Sequence, residues 1–257
     1  MQLVKVLVFC LALVSIDKGS QAVNVDYQAS LINNKLSSLM APKLVCSGYL
    51  WFRSCVKVPP KLDTLLVLDS SGSITSYQFG KEKDAAKVIV DYIHNKAPIG
   101  YYKSRVGLIE YSVYAHFEFK FNEYNTPAAI KNRIQLVTYD NGWRTATAIA
   151  LGKAKTEMQA NSRPGNVKVV WVFTDGRSNY GGNPKIPADQ LRAIGTTVCI
   201  MVIGPSINWA EIHDIGNKDC IFQATSFYQA LQILSRAYSL SKSSPTLSDN
   251  FFSGLKL

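Results

Sequence analysis

Short apolar runs separated by amphipathic stretches, beginning near residue 61, constrain this chain more than any other feature. Residues 64–68 (TLLVL), 167–173 (VKVVWVF) and 197–203 (TVCIMVI) scarcely alternate in polarity. A strand with one wet face alternates, so runs of this kind predict strands buried on both faces, as in a parallel sheet covered on each side. Between them, residues 77–94 place Phe79, Ala86, Ile89, Val90 and Ile93 at helical spacing, and residues 145–159 form an Ala-rich helical segment. Shorter helices are expected at 127–136, 187–194 and 209–215, with a last strand at 221–224 and a last helix at 227–240. Residues 105–111 and 114–121 read as two strands with a tight connection, and Phe117, Phe119 and Phe121 fall on one face of the second. The expected fold is α/β: a doubly wound, mostly parallel sheet with one antiparallel edge strand and helices on both faces.

The flanks differ in character. Lys5, an apolar run at 6–16 (VLVFCLALVSI) and the small residues Ser20 and Ala22 predict a signal peptide cleaved after Ala22. The run falls short of the about 20 residues that span a bilayer. Residues 23–60 form an N-terminal extension: a short helix at 27–40, then a Cys-bounded aromatic loop at 46–55 (CSGYLWFRSC), whose Trp51 and Phe52 are expected to pack on the main domain. Pro59-Pro60 marks the boundary to a main domain at 61–240, and the Ser-rich residues 241–257 read as a flexible tail.

Loss of residues 1–22 removes Cys10 and leaves Cys46, Cys55, Cys199 and Cys220, an even set that favours disulfides in an exported chain. Three pairings are open; Cys46–Cys55, closing a local loop, with Cys199–Cys220, clasping two late elements, is preferred. The cysteines include no CxxC pair and the three histidines are scattered, so no zinc site is expected.

The net charge is +10, and +9 once Lys5, Lys18 and Asp17 leave with the leader. A basic exported protein suits acidic partners such as sulfated glycans, acidic matrix proteins or a mineral-associated acidic phase, or the charge serves solubility alone. Export and the lack of a dense Lys/Arg run count against nucleic acid.

In a doubly wound sheet, ligands bind in loops beyond the carboxyl ends of strands. Three such loops carry oxygen donors: Asp69-Ser70-Ser71-Gly72-Ser73 after the first strand, Thr145 opening the Ala-rich helix, and Asp175 in Phe173-Thr174-Asp175-Gly176. Two carboxylates and three hydroxyls, with no sulfur or imidazole, suit Mg²⁺ or Mn²⁺ in octahedral geometry, or Ca²⁺ in a looser one. Only two negative charges face the ion, so an external carboxylate has room to complete the shell. Gly72 and Gly176 fit backbone that turns sharply close to it. Taken singly, Ser71 and Ser73 could cap a helix and Asp69 could satisfy turn amides; taken together, the five favour a cation. Lys81, Lys83 and Lys87 read as a solvated helix face.

With these residues in place, the chain from about 62 to 240 resembles the von Willebrand factor type A family. DSSGS, the later threonine and FTDG come in that family's order, each between a strand and a helix. The resemblance implies a metal-ion-dependent adhesion site in which Ser71, Ser73 and Thr145 ligate directly, and Asp69 and Asp175 directly or through water. It leans toward extracellular-matrix members, such as those in matrilins, collagen-associated proteins and invertebrate matrix or shell proteins. The family commonly has Gly-Gly before the threonine, where this chain has Trp143-Arg144. Arg144 there would weaken cation binding or make a second contact to an acidic ligand, with Trp143 and Tyr180 on the rim.

No HExxH, GxSxG or Walker A loop is present, and the five-oxygen set lacks an evident general base. The expected function is therefore a secreted, non-enzymatic adhesion or matrix protein that binds an extracellular acidic ligand through a divalent cation. The alternative is a structural matrix component, biomineral-associated among the options, whose basic surface binds acidic polymers while its metal site is vestigial. Neither nucleic acid nor membrane insertion is expected, and bridging through one adhesive site would call for self-association.

Overall fold

The first apolar run folds as β3 (Leu62–Asp69), buried along its whole length, and it explains the sheet around it. Leu62, Leu66 and Leu68 enter one core while Leu65 and Val67 enter the other, so both faces of the strand are covered. The computed structural model describes residues 23–48, 53–176 and 178–243. Within them the chain runs α1 (Val25–Leu39), β1 (Lys43–Ser47), β2 (Ser54–Val58), β3, α2 (Ser76–Lys96), β4 (Arg105–Tyr111), β5 (Ala115–Phe119), α3 (Pro127–Gln135) and α4 (Thr147–Asn161). It continues through β6 (Val167–Thr174), α5 (Lys185–Ala193), β7 (Thr196–Ile203), α6 (Trp209–Ile215), β8 (Ile221–Ala224) and α7 (Phe227–Ser243).

Among the described residues, six strands form one sheet in the order β5-β4-β3-β6-β7-β8, and only the β4–β5 pairing is antiparallel. One face carries α1, α2, α3 and α7, with Ile32, Phe79, Ile89, Ile130 and Ile233 in its core. The other carries α4, α5 and α6, with Leu151, Met158, Leu191 and Ile212. This is the expected doubly wound architecture. The Cys199–Cys220 disulfide joins β7 to the turn before β8. No described helix is long and apolar enough to cross a membrane.

Three expectations fail in instructive ways. Phe117, Phe119 and Phe121 do not share a face, because the register shifts so that Leu108 opposes Phe119 while Ile109 opposes Phe117. The extra residue, Glu118, breaks the two-residue period. Phe119 therefore joins the α2 side while Phe117 packs on the α4 side, and Phe121, beyond the end of β5, also packs on the α4 side. Lys83 and Lys87 are not merely solvated: Lys83 Nζ donates to the carbonyls of Val137 (2.8 Å) and Gln135 (3.0 Å), and Lys87 Nζ to Gln135 Oε1 (2.6 Å), tying α2 to the end of α3. The last helix reaches Ser243, with Ser241 buried, so the tail's first residues are helical.

The N-terminal extension divides in two. Asn24 caps α1 by accepting the Tyr27 N–H at 2.9 Å, and Ala29, Ile32 and Leu36 enter the main core. Asp26 pairs with Arg236 at 2.7 Å, Lys35 with Asp219 at 2.6 Å, and Gln28 Oε1 accepts the Gln223 N–H, tying the helix to α7 and the β8 region. The Cys-bounded segment is framed by an antiparallel strand pair, β1–β2, in which Cys46 lies opposite Cys55 and is disulfide-bonded to it. Trp51 and Phe52, residues 1–22 expected as a signal peptide, and the tail beyond residue 243 lie outside the described residues.

Candidate metal centre

The central strands β3 and β6 end side by side, and they and the loops that leave them carry Asp69, Ser71, Ser73 and Asp175, while Thr145 comes from the α3–α4 connection and not from a loop after a strand. After β3 the chain turns through residues 70–75 into α2, whose cap is Thr75. Thr75 Oγ1 accepts the Gln78 N–H at 3.2 Å, and Gln78 Oε1 accepts the Thr75 N–H at 2.7 Å, a reciprocal capping box. Ser71 and Ser73 are thus not needed as caps, and their hydroxyls lie 2.9 Å apart. The Ser71 N–H donates to Asp69 Oδ1 at 3.0 Å. Ser73, Thr145 and Asp175 line a single cleft of about 360 Å³, whose opposite side is formed by Gly204, Thr225 and Phe227. The structure therefore gathers Asp69, Ser71, Ser73, Thr145 and Asp175 at one end of the sheet.

Three glycines make this geometry fit. Ser71 bridges to Gly142, whose carbonyl accepts the Gly72 N–H at 2.6 Å. A Cβ on Gly142 would sit 2.4 Å from Ser112 Oγ, which leaves no room for a side chain. Gly176 has φ +89°, a backbone state that favours glycine, and turns the chain directly after Asp175. Gly72 is favoured by close approach rather than by a positive φ: its Cβ would meet the Gly142 carbonyl oxygen at 3.2 Å, a tight contact.

Electrostatically the centre is an acid held in a dry place. Asp69 is fully buried; burial and then the charge of Asp175 raise its pKa to about 7. Tyr111 Oη donates to Asp69 Oδ2 at 3.1 Å, which tempers the rise. Asp175 Oδ1 is buried without a hydrogen-bond partner. Among the described residues, neither aspartate forms an ion pair with Lys or Arg.

Sequence reasoning missed two further acids. Glu82 on α2 is fully buried beneath the site, and burial followed by the Asp69 charge pushes its pKa well above the usual carboxylate range. Glu110 on β4 is pushed to about 8, by burial and then by Asp140 and Glu118. Both favour the neutral form, so they add little charge to the site itself. Glu82 had a legible signal: it lies three residues after Phe79 on the apolar stripe of α2.

On the rim, Trp143 is 74% exposed, and the Arg144 guanidinium carbon lies 4.4 Å from its ring centroid and 6.0 Å from that of Tyr180. The three residues form one shelf beside Thr145, and Arg144 Nε is buried without a partner.

A hard divalent ion fits this donor set. The partnerless carboxylate oxygen of Asp175, the buried carboxylate of Asp69 and the adjacent serine hydroxyls are all oxygen donors. Among the described residues no three Asp, Glu, His or Cys side chains converge as a metal cluster, so the set depends on its hydroxyls.

The family model of the von Willebrand factor type A domain matches residues 63–236. The chain belongs to this family. It is 33% identical over 149 residues to von Willebrand factor A domain-containing protein 1 of Mus musculus, covering 56% of this chain and 34% of that protein. It is 30% identical over 172 residues to the collagen alpha-5(VI) chain of Mus musculus, covering 65% of this chain and 6% of that one. The chain thus spans about a third or less of the curated relatives it matches. Among solved structures, it is similar to proximal thread matrix protein 1 from the mussel byssus with a zinc-occupied MIDAS motif. The TM-score is 0.63 at 26% identity, over 71% of this chain and 48% of that one.

Proposed function

We propose that this type A domain is an exported, non-enzymatic adhesion module of an extracellular matrix, holding a divalent cation at Asp69, Ser71, Ser73, Thr145 and Asp175. The observation that carries the reading is the pair Asp69 and Asp175: a fully buried carboxylate beside a half-buried one that has one buried, unpaired oxygen, with no basic partner for either among the described residues. Burying charge without a partner is costly, and a cation offsets that cost. Mg²⁺ or Mn²⁺ suits so few carboxylates, and Ca²⁺ a looser shell. When bound, the ion supplies a positive centre that an acidic side chain of a matrix partner can complete.

This chain's residues do the positioning. Gly142 and Gly72 bring the loops together, Tyr111 and the Ser71 N–H orient the Asp69 carboxylate, and the Thr75 cap leaves the serine hydroxyls to the site. Arg144, stacked on Trp143, offers a second cationic contact for a ligand with more than one acidic group. The matrix setting draws on the similarity to a collagen chain and a byssal thread matrix protein.

The test is capture from an extracellular extract by the refolded chain, in parallel with Mg²⁺ or Mn²⁺ and with EDTA. A partner retained only with the cation, and lost in Asp69→Ala, supports the reading. The net charge of +10 favours a second reading, a matrix component that binds acidic polymers through its surface. Capture indifferent to EDTA but eluted by salt establishes that reading instead.

A further inference from the structure

The β1–β2 hairpin has no evident part in the metal centre. Every described residue from Ala41 to Pro59 is exposed, and prolines stand at both of its roots, Pro42 and Pro59-Pro60. Its side chains are not those of a solvated ribbon. Leu44, Val45, Val56 and Val58 are 63%, 53%, 60% and 41% exposed. An isolated two-stranded hairpin is marginal in water, and the Cys46–Cys55 disulfide staples this one across paired positions. A covalently fixed arm that displays apolar side chains and, among the described residues, pairs each strand on one side only is built like a template for a further strand.

Its charge narrows the occupant. Lys43, Arg53 and Lys57 lie on the arm, Lys61 follows at its base, and no carboxylate occurs from residue 41 to 61. Strand β2 sorts its side chains cleanly: Val56 and Val58 point to one face, and Lys57 to the face that carries the disulfide. A second copy would set like charges against each other, on a chain already at +10. A sulfated glycan would match the lysines but leave the valines wet.

We propose that the open edge of β2 is a cation-independent docking site for an extended acidic segment of a protein partner, with apolar residues beside Val56 and Val58 and a carboxylate beside Lys57. Backbone pairing along the edge provides the frame and the alternation provides selectivity. The site goes beyond the metal-centre reading and does not depend on it.

The experiment uses the full chain in EDTA and a fluorescent peptide that alternates valine with glutamate, followed by anisotropy. Two controls are a peptide of the same composition in blocks and one that alternates valine with lysine. The alternating acidic peptide should bind best. Lys57→Glu should weaken it about fivefold and improve the valine–lysine peptide, since a favourable cross-strand charge pair becomes an unfavourable one. Val56→Ser/Val58→Ser should weaken binding while Lys57 is intact. Thermal unfolding of the same variants in EDTA reports that the fold is retained. Equal binding of the block peptide, indifference to both sets of variants, or absence of saturable binding overturns the proposal, as does anisotropy displaced by anionic vesicles but not by unlabelled peptide.

Discussion

Glu82 Oε1 accepts the backbone N–H of Asp69 at 2.8 Å, so a buried acid on α2 holds the end of the strand that starts the metal site. Its other oxygen is buried without a partner, and burial favours its neutral form. A neutral carboxyl and an amide are close in shape, and the amide oxygen can accept the same hydrogen bond. Glu82→Gln should therefore leave the urea midpoint nearly unchanged. Glu82→Ala orphans the Asp69 N–H and opens a cavity, and should cost about 2–4 kcal/mol. If both variants lose stability equally, the hydrogen bond to Asp69 is not what Glu82 provides.

A second prediction concerns Gly142. Its missing side chain lets Ser71 and Gly72 meet the loop before Thr145, and an added Cβ would overlap Ser112. Gly142→Ala must push the two loops apart, at a cost of about 1–3 kcal/mol for overpacking. Cation affinity should fall along with stability. Gly152→Ala, on α4 where a Cβ meets nothing within 4 Å, is the matched control and should be neutral or slightly stabilising. Calorimetric titration with Mn²⁺ and thermal unfolding on both variants decide the point.

What the sequence made legible, and what it hid, follows from how each element is buried. Residues 64–68 and 197–203 were readable because a strand covered on both faces has no polar position to interrupt it. Asp69 and Asp175 were readable because they stand where apolar runs end, and Thr145 because it lies just ahead of the Ala-rich helix α4. The β1–β2 hairpin was not, since none of its residues is buried and each strand is only five residues long. The bulge at Glu118 was hidden for another reason: one extra residue in a backbone ladder leaves no trace in composition. Glu110, within a strand called correctly by its apolar neighbours, looked like any acid with access to water, and only tertiary packing makes it buried.

That burial gives Glu110 a measurable consequence. Its folded pKa of about 8 lies above the ordinary 4.5, so between these values the native state holds a proton that the unfolded state has lost. Where the native state binds more protons, stability falls as pH rises. In EDTA, the urea midpoint should therefore decline from about pH 5 to 8, with Asp69 contributing up to about 7 in the same direction. Glu110→Gln should flatten the upper part of that decline. A slope unchanged by the substitution would assign the effect to other groups.

The shelf beside Thr145 separates ligand binding from cation binding. Arg144 lies against Trp143 and Tyr180, and Trp143 projects into solvent. Arg144→Ala should weaken capture of an acidic partner by about tenfold, the loss expected for one charge-assisted contact. Mn²⁺ affinity should be unchanged or higher, since a nearby positive charge is removed. A parallel loss of cation and partner would mean that Arg144 shapes the loop and does not meet the ligand.

The last prediction follows from the pKa of Asp69. A cation binds the carboxylate and not the acid, and Asp69 in the free protein takes its proton at about pH 7 instead of near 3.8. Below about 7, each binding event must expel that proton, so apparent affinity should fall by about tenfold for each unit of pH. Above about 7 the carboxylate is already free and affinity should level off. Calorimetric titrations in two buffers of different ionisation enthalpy, at pH 6 and pH 8, measure the released proton directly. Close to one proton should appear at the lower pH and few at the higher. Asp69→Asn, which keeps the shape but cannot ionise, should abolish both the affinity and the proton release. Proton release that persists in Asp69→Asn would place the titrating group elsewhere, and a pH-independent affinity would mean that the aspartate is charged before the ion arrives.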